Sequence, residues 1–146
     1  MKVSLKIRRL RDVQLPAFQT QGSAGMDLRA ALDSPIHLNS GERKLIPTGL
    51  AVEIPPGFEG QVRPRSGLAL RYGLSILNSP GTIDSDYRGE IGVIVINLGR
   101  DKVSINSGDR IAQLIISPVV QVDIIEVDEI KDTKRGRGGF GHTGKN

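Results

Sequence analysis

"EIGVIVINLG" occupies residues 90–99 and "RIAQLIISPVVQVDIIEV" residues 110–127. Both runs are rich in β-branched side chains and apolar on both faces, the pattern of central strands or of strands packed in an assembly. Pro118 breaks or bends the second run, because it cannot donate to a ladder. On either side the chain is punctuated the same way. Val3, Leu5 and Ile7 alternate with Ser4, Lys6 and Arg8, and Leu50, Val52 and Ile54 alternate with Ala51 and Glu53, as half-buried strands do. Turn signals recur at "NSGE" (39–42), "PPG" (55–57), "NSPG" (78–81) and "NSGD" (106–109). Many short strands at this spacing predict an all-β sandwich or barrel, with room for one short helix around "SGLALRYG" (66–73).

At 146 residues the chain fits one domain, and neither an internal repeat nor a linker divides it. It has no cysteine, which excludes disulfides, thiolate metal sites and cysteine nucleophiles together and is compatible with a cytoplasmic protein. No apolar run is long enough to span a membrane, and "MKVSLKIRRLRD" alternates apolar and basic residues instead of presenting a signal core, so the chain reads as soluble. The net charge of +4 raises the question of nucleic acid. Residues 131–146 hold five basic side chains and one acid, whereas the preceding 130 balance at 15 and 15. A basic nucleic-acid-binding body is therefore not expected, and with 3% aromatics and no Trp there is little to stack on bases. Past Val127 the chain becomes charged and, from Arg135, Gly-rich. That division predicts a β domain over 1–130 and a flexible arm over 131–146, mobile unless a ligand holds it.

Several short stretches carry polar groups suited to chemistry. In "RPRSGLALRYG" (63–73), Arg65 and Ser66 precede a run that can start a helix. Unpaired N–H groups, a Ser cap and an Arg there suit an anion, although an ordinary capped turn would look the same. "NSPGTIDSDYRGEI" (78–91) reads as a β-hairpin. If it is extended, Asp84 and Asp86 share a face, and either could act as general base or metal ligand, or merely solvate the turn. Tyr87 beside them offers a flat wall for a sugar or base. Asp27 lies among small residues in "GSAGMDLRA" (22–30), and Gln113 lies within the apolar strand of "GDRIAQLI" (108–115); either could be structural. His37 alternates with apolar neighbours as a surface strand residue would. With two histidines in all, a histidine metal site or a triad is not expected.

Taken in order, "AGMDLRA" (24–30), "PRSGLA" (64–69), "GTIDSDYRGEI" (81–91), "GDRIAQLI" (108–115) and "RGRGGFGHTG" (135–144) resemble the five motifs of the trimeric dUTP diphosphatases, the dUTPases. The resemblance covers nearly the whole chain. It implies a distorted β-barrel or jelly-roll-like fold with one short helix and a Gly-rich C-terminal arm. The implied reaction is hydrolysis of dUTP to dUMP and pyrophosphate, by in-line attack of water on the α-phosphorus with Mg²⁺ on the triphosphate. Such a reaction keeps uracil out of DNA and supplies the precursor of thymidylate.

By this resemblance Asp84 is the carboxylate that activates the water, which leaves Asp86 the lesser candidate. Tyr87 packs beneath the deoxyribose, and Asn78 reads the uracil edge. Arg65, Ser66 and Gly67 form the phosphate-binding turn around the bond that breaks, with Ser66 counted among the catalytic groups. Gln113 contacts phosphate, and Asp27 supports the water network around Mg²⁺ or the neighbouring Arg. No direct protein ligand to Mg²⁺ is implied, since triphosphate oxygens and waters complete its octahedron. In the arm, Arg135 is similar to the residue that reaches the γ-phosphate and Phe140 to the one that stacks on uracil. His142 stands where Ser is frequent and would make closure mildly pH-sensitive, and Arg137 stands where an acidic or small residue is frequent. The resemblance further implies a homotrimer with sites between subunits, each closed by the arm of one chain, and no stable nucleic-acid or membrane partner. Two other outcomes stay open: a dCTP deaminase-like or bifunctional enzyme of the same fold, and a non-enzymatic regulatory relative.

Overall fold

The computed structural model describes residues 2–140. Ten strands and one helix follow in order: β1 (Lys6–Arg9), β2 (Met26–Arg29), β3 (Ile36–Leu38), β4 (Arg43–Glu53), β5 (Phe58–Arg63), α1 (Ser66–Tyr72), β6 (Leu74–Ile76), β7 (Gly81–Ile83), β8 (Glu90–Asn97), β9 (Val103–Ile105) and β10 (Arg110–Pro118). They form two four-stranded sheets, ordered β1-β4-β8-β6 and β2-β10-β5-β7, with a small β3-β9 pair beside them. All ladders are antiparallel. The arrangement is an open, jelly-roll-like sandwich of two sheets.

The core lies between these sheets. Ile46, Leu50, Val52, Val93 and Val95 from the first sheet and Leu28, Val62, Ala112 and Leu114 from the second belong to one buried cluster. In β8 the alternation is clean: Ile91, Val93 and Val95 point inward, while Ile94 and Ile96 are half-buried on the other face. The apolar outer face expected from the sequence is thus present on a single chain. β4 carries a register shift between Pro47 and Ala51. There Gly49 takes a φ of 69°, Thr48 donates to the Ile91 carbonyl at 2.7 Å, and the Gly49 N–H reaches Glu90 Oε1 at 2.7 Å. A buried bulge is stable only if its displaced polar groups find such partners.

Three sequence expectations need correction. The alternation from Val3 to Ile7 yields a strand only from Lys6, where pairing to Glu53 begins. The segment 78–91 is not a hairpin, because β7 pairs with β5 in one sheet while β8 pairs with β4 and β6 in the other. Its turn carries the chain across the sandwich. Finally, β10 stops at Pro118, as expected, but the apolar run beyond it joins no ladder among the described residues, and Ile124 is 94% exposed.

Candidate active site

β2, β10 and β5 are neighbours, and their ladders set Asp27 and Arg63 on either side of Gln113. Residues in register across adjacent strands project from the same face, so these three side chains converge. Just past β5, Arg65 and Ser66 join them in lining a cleft of about 370 Å³, with Gly25 and Arg110 on its wall. Four of the residues selected from sequence, Asp27, Arg65, Ser66 and Gln113, are thereby brought together. Gly25 is small for a reason: a Cβ there would lie 3.0 Å from Gln113 Oε1.

Asp27 is the hub of the cleft. Its side chain is 10% exposed; Oδ1 accepts Arg65 Nε at 3.2 Å and Oδ2 accepts Arg110 Nη1 at 3.1 Å. A nearly buried carboxylate is tolerated only with such pairing. Arg65 Nη1 also donates to the Arg110 carbonyl at 3.1 Å, and Gln113 Nε2 donates to the Pro64 carbonyl at 3.2 Å. With Arg63, three guanidiniums stand against one carboxylate. The excess is positive, as a polyanion would require.

Ser66 is not a helix cap. Leu68 and Ala69 both donate to the Arg65 carbonyl, so Arg65 is the N-cap, with extended backbone at φ −94° and ψ 125° and no side-chain cap bond. Ser66 is the first helical residue, which leaves its hydroxyl on the cleft instead of on the helix end. At Gly67 a Cβ would meet nothing within 4 Å, so the first turn is open on that side.

Asp84 and Tyr87 line a second cleft of about 170 Å³, with Thr82, Ile83 and Ile91. The Tyr87 N–H donates to the Asp84 carbonyl at 3.1 Å, which closes a turn. Asp84 and Asp86 consequently do not alternate as strand residues, and of the two only Asp84 faces this cleft. Tyr87 is pinned by a bond from its hydroxyl to the Glu90 carbonyl at 2.9 Å, which leaves its ring half exposed. Asn78 is exposed in the turn before β7 and lines neither cleft, although its amide lies beside Gly81.

The two clefts share no residue. Ile83 pairs with Gly60, so Asp84 lies near the start of β5, whereas Arg65 follows its end. At about 3.3 Å per residue that is a separation of roughly 15–20 Å along the strand. Arg135 and Phe140 line neither cleft; Arg135 Nε donates to the Gly138 carbonyl at 2.8 Å, and the Phe140 ring is fully exposed. His142 lies outside the described residues.

Sequence reasoning passed over Arg110. In plain alternation residues 110 and 113 would face opposite sides of a strand. The ladder to β2 shifts register between Arg110 and Ala112, and that irregularity returns Arg110 to the face of Gln113. Only the motif "GDRIAQLI" as a unit could have signalled it.

A family model described as dUTPase matches residues 11–144. The chain belongs to the dUTPase family. Among relatives, it is 55% identical to the deoxyuridine 5'-triphosphate nucleotidohydrolase of Anaeromyxobacter sp. (strain Fw109-5), covering 99% of this chain and 100% of that one. It is likewise 55% identical to the enzyme of that name from Thermoanaerobacter sp. (strain X514), with 99% of each covered. The fold of this dUTPase is similar to that of the Staphylococcus bacteriophage 80alpha dUTPase with dUPNHPP, at TM-score 0.90 and 27% identity over 98% and 99% of the two chains. It is also similar to a mutant dUTPase from phage phi11 of S. aureus, described as coordinating a structural Mg(II) ion, at TM-score 0.79 and 26% identity over 87% and 98%. Among the described residues of this dUTPase, no group of three His, Cys, Asp or Glu is placed to hold a metal. No helix of the described residues is long and apolar enough to cross a membrane.

Proposed function

We propose that this chain, a dUTP diphosphatase by family, cleaves dUTP between the α- and β-phosphates, giving dUMP and pyrophosphate. The observation that carries the reading is the gathering of Arg65, Ser66 and Gln113 around Asp27 in a positively charged cleft. Arg65, Ser66, Gly67 and Gln113 bind the phosphate chain there. Asp84 takes the proton of the attacking water, a role open to it because it is exposed and faces a cleft. Tyr87 forms the floor under the deoxyribose, where a 2′-hydroxyl would not fit, and Asn78 with its turn reads uracil.

Mg²⁺ suits a donor set of triphosphate oxygens and water, with Asp27 as the nearby carboxylate whose two oxygens already serve arginines. When bound it would neutralise charge on the phosphates. The chain's own residues orient the nucleotide and hold the proton.

Asp84 and Arg65 belong to different clefts of one chain, so a complete site needs more than one copy. We read the assembly as a homotrimer in which one subunit supplies Asp84, another the phosphate cleft, and an arm from residues 131–146 covers both, with Arg135 on the γ-phosphate and Phe140 on uracil. The exposed apolar run that includes Val120, Val122 and Ile124 supports burial between copies. Action in the cytoplasm, limiting uracil in DNA and supplying dUMP for thymidylate, completes the reading.

Incubation with dUTP, dTTP, dCTP and UTP in the presence of Mg²⁺, scored for pyrophosphate, tests base, sugar and reaction together. Release from dUTP alone is expected. Ammonia from dCTP would favour the deaminase alternative, and no product from any nucleotide would favour a regulatory protein.

A further inference from the structure

We propose that Arg110 is a positioning residue for the phosphate cleft, which acts through Asp27 to fix the guanidinium of Arg65. The proposal rests on the reading of that cleft as the triphosphate site. Its starting point is the space around the two arginines. Arg65 and Arg110 line the 370 Å³ cleft on one side and, on the other, a cavity of about 480 Å³ whose walls include Leu68, Leu74, Ile105 and Ile111. Packing covers much of each stem, since the Arg65 side chain is 25% and the Arg110 side chain 40% exposed, but with open space on both flanks the orientation of each guanidinium is set by polar contacts.

For Arg65 those contacts are two. Nε is held by Asp27 Oδ1 at 3.2 Å and Nη1 by the Arg110 carbonyl at 3.1 Å. Asp27 can hold Arg65 in one orientation only if its own carboxylate is fixed, and the second oxygen is fixed by Arg110 Nη1 at 3.1 Å. Arg110 thus acts on Arg65 twice: directly through its backbone, and through Asp27 by its side chain. The register shift in β10 aims it there. Without the Arg110 guanidinium, Asp27 would turn an uncompensated oxygen toward a polyanion and lose the partner that orients it. Lysine would restore the charge but not the planar fork.

The test is steady-state kinetics of Arg110→Gln, Arg110→Lys, Asp27→Asn, Arg65→Gln and the double variant Arg110→Gln/Asp27→Asn, each checked by thermal melting. Arg110→Gln should lower kcat/KM for dUTP on the order of tenfold or more, largely through KM, and Arg110→Lys should recover part of the loss. Inhibition by deoxyuridine, which has no phosphate, should be unchanged. In the Asp27→Asn background, Arg110→Gln should add less than about twofold, because residues acting as one unit are not additive. Full additivity, or wild-type kinetics for Arg110→Gln and Arg110→Lys while Arg65→Gln is impaired, overturns the proposal and leaves the cleft reading standing. Wild-type kinetics for Arg65→Gln overturns both.

Discussion

The Asn97 side-chain amide donates to the Leu38 carbonyl at 2.9 Å and to the Asp101 carbonyl at 2.8 Å, joining the end of β8 to β3 and to the following loop. Asn97 is fully buried, and its Oδ1 accepts the Gly99 N–H at 2.9 Å. Every polar atom of that side chain is in use. Replacement by Ala would strand the Leu38 carbonyl in the core and leave the part-buried Asp101 carbonyl and Gly99 N–H without this partner. Asn97→Ala should lose about 2–4 kcal/mol, since each buried group left unpaired costs about 1–3 kcal/mol with partial relief from water. Urea unfolding measures it, and a loss below ~0.5 kcal/mol would contradict the bonding described.

Asp84→Asn should retain affinity for a non-hydrolysable imido analogue of dUTP while turnover falls by roughly 10²–10⁴, the range for loss of a general base. Calorimetric titration and a pyrophosphate assay separate the two effects. Unchanged turnover would remove Asp84 from the mechanism.

A chain ending at Thr133 lacks Arg135 and Phe140, neither of which contributes to the core. Its melting midpoint should match that of the full chain while most dUTP hydrolysis is lost, as expected when a covering segment is removed. Hydrolysis at the full rate by the shortened enzyme would leave the arm without a catalytic part.

Glu42 accepts the Asn39 backbone N–H at 2.8 Å, and this bond, ahead of the Asn39 side-chain contact, holds its carboxyl below the ordinary value of 4.5. A folded-state value lower than the unfolded one contributes stability above pH 4.5 and loses it as pH falls through the folded value. Glu42→Gln should therefore melt slightly below wild type at pH 7 and converge with it as pH falls through the lowered folded-state value. Because Glu42 is fully exposed, the gap will be small and will narrow further with salt where charge contributes. Parallel melting curves that stay equally far apart down to pH 3 would refute the linkage.

Strand content was legible because β-branched runs and alternation report burial directly: Leu50, Val52 and Ile54 are buried as their spacing implies. A short helix around 66–73 was legible from the composition of that stretch, and in the structure Gly73 ends it at φ 69°. Partner choice was not legible. Strands β7 and β8 are adjacent in sequence yet sit in different sheets, because inward-facing alternation fits either sheet of a sandwich equally well. At the site, Asp27, Ser66 and Gln113 carried no signal apart from their motifs, since each side chain is ordinary in a strand or turn. Their convergence depends on ladder register across β2, β10 and β5, and Arg110 on a one-residue irregularity that periodicity cannot encode.

The placing of Asp84 and Arg65 near opposite ends of β5 also bears on genetics. In the proposed trimer with shared sites, an Asp84→Asn subunit and an Arg65→Gln subunit should each be impaired alone, but in different halves of the site. Co-refolded at equal amounts, they should form mixed trimers in which about a quarter of the sites draw both halves intact. Complementation between two impaired alleles would then follow from the length of one strand.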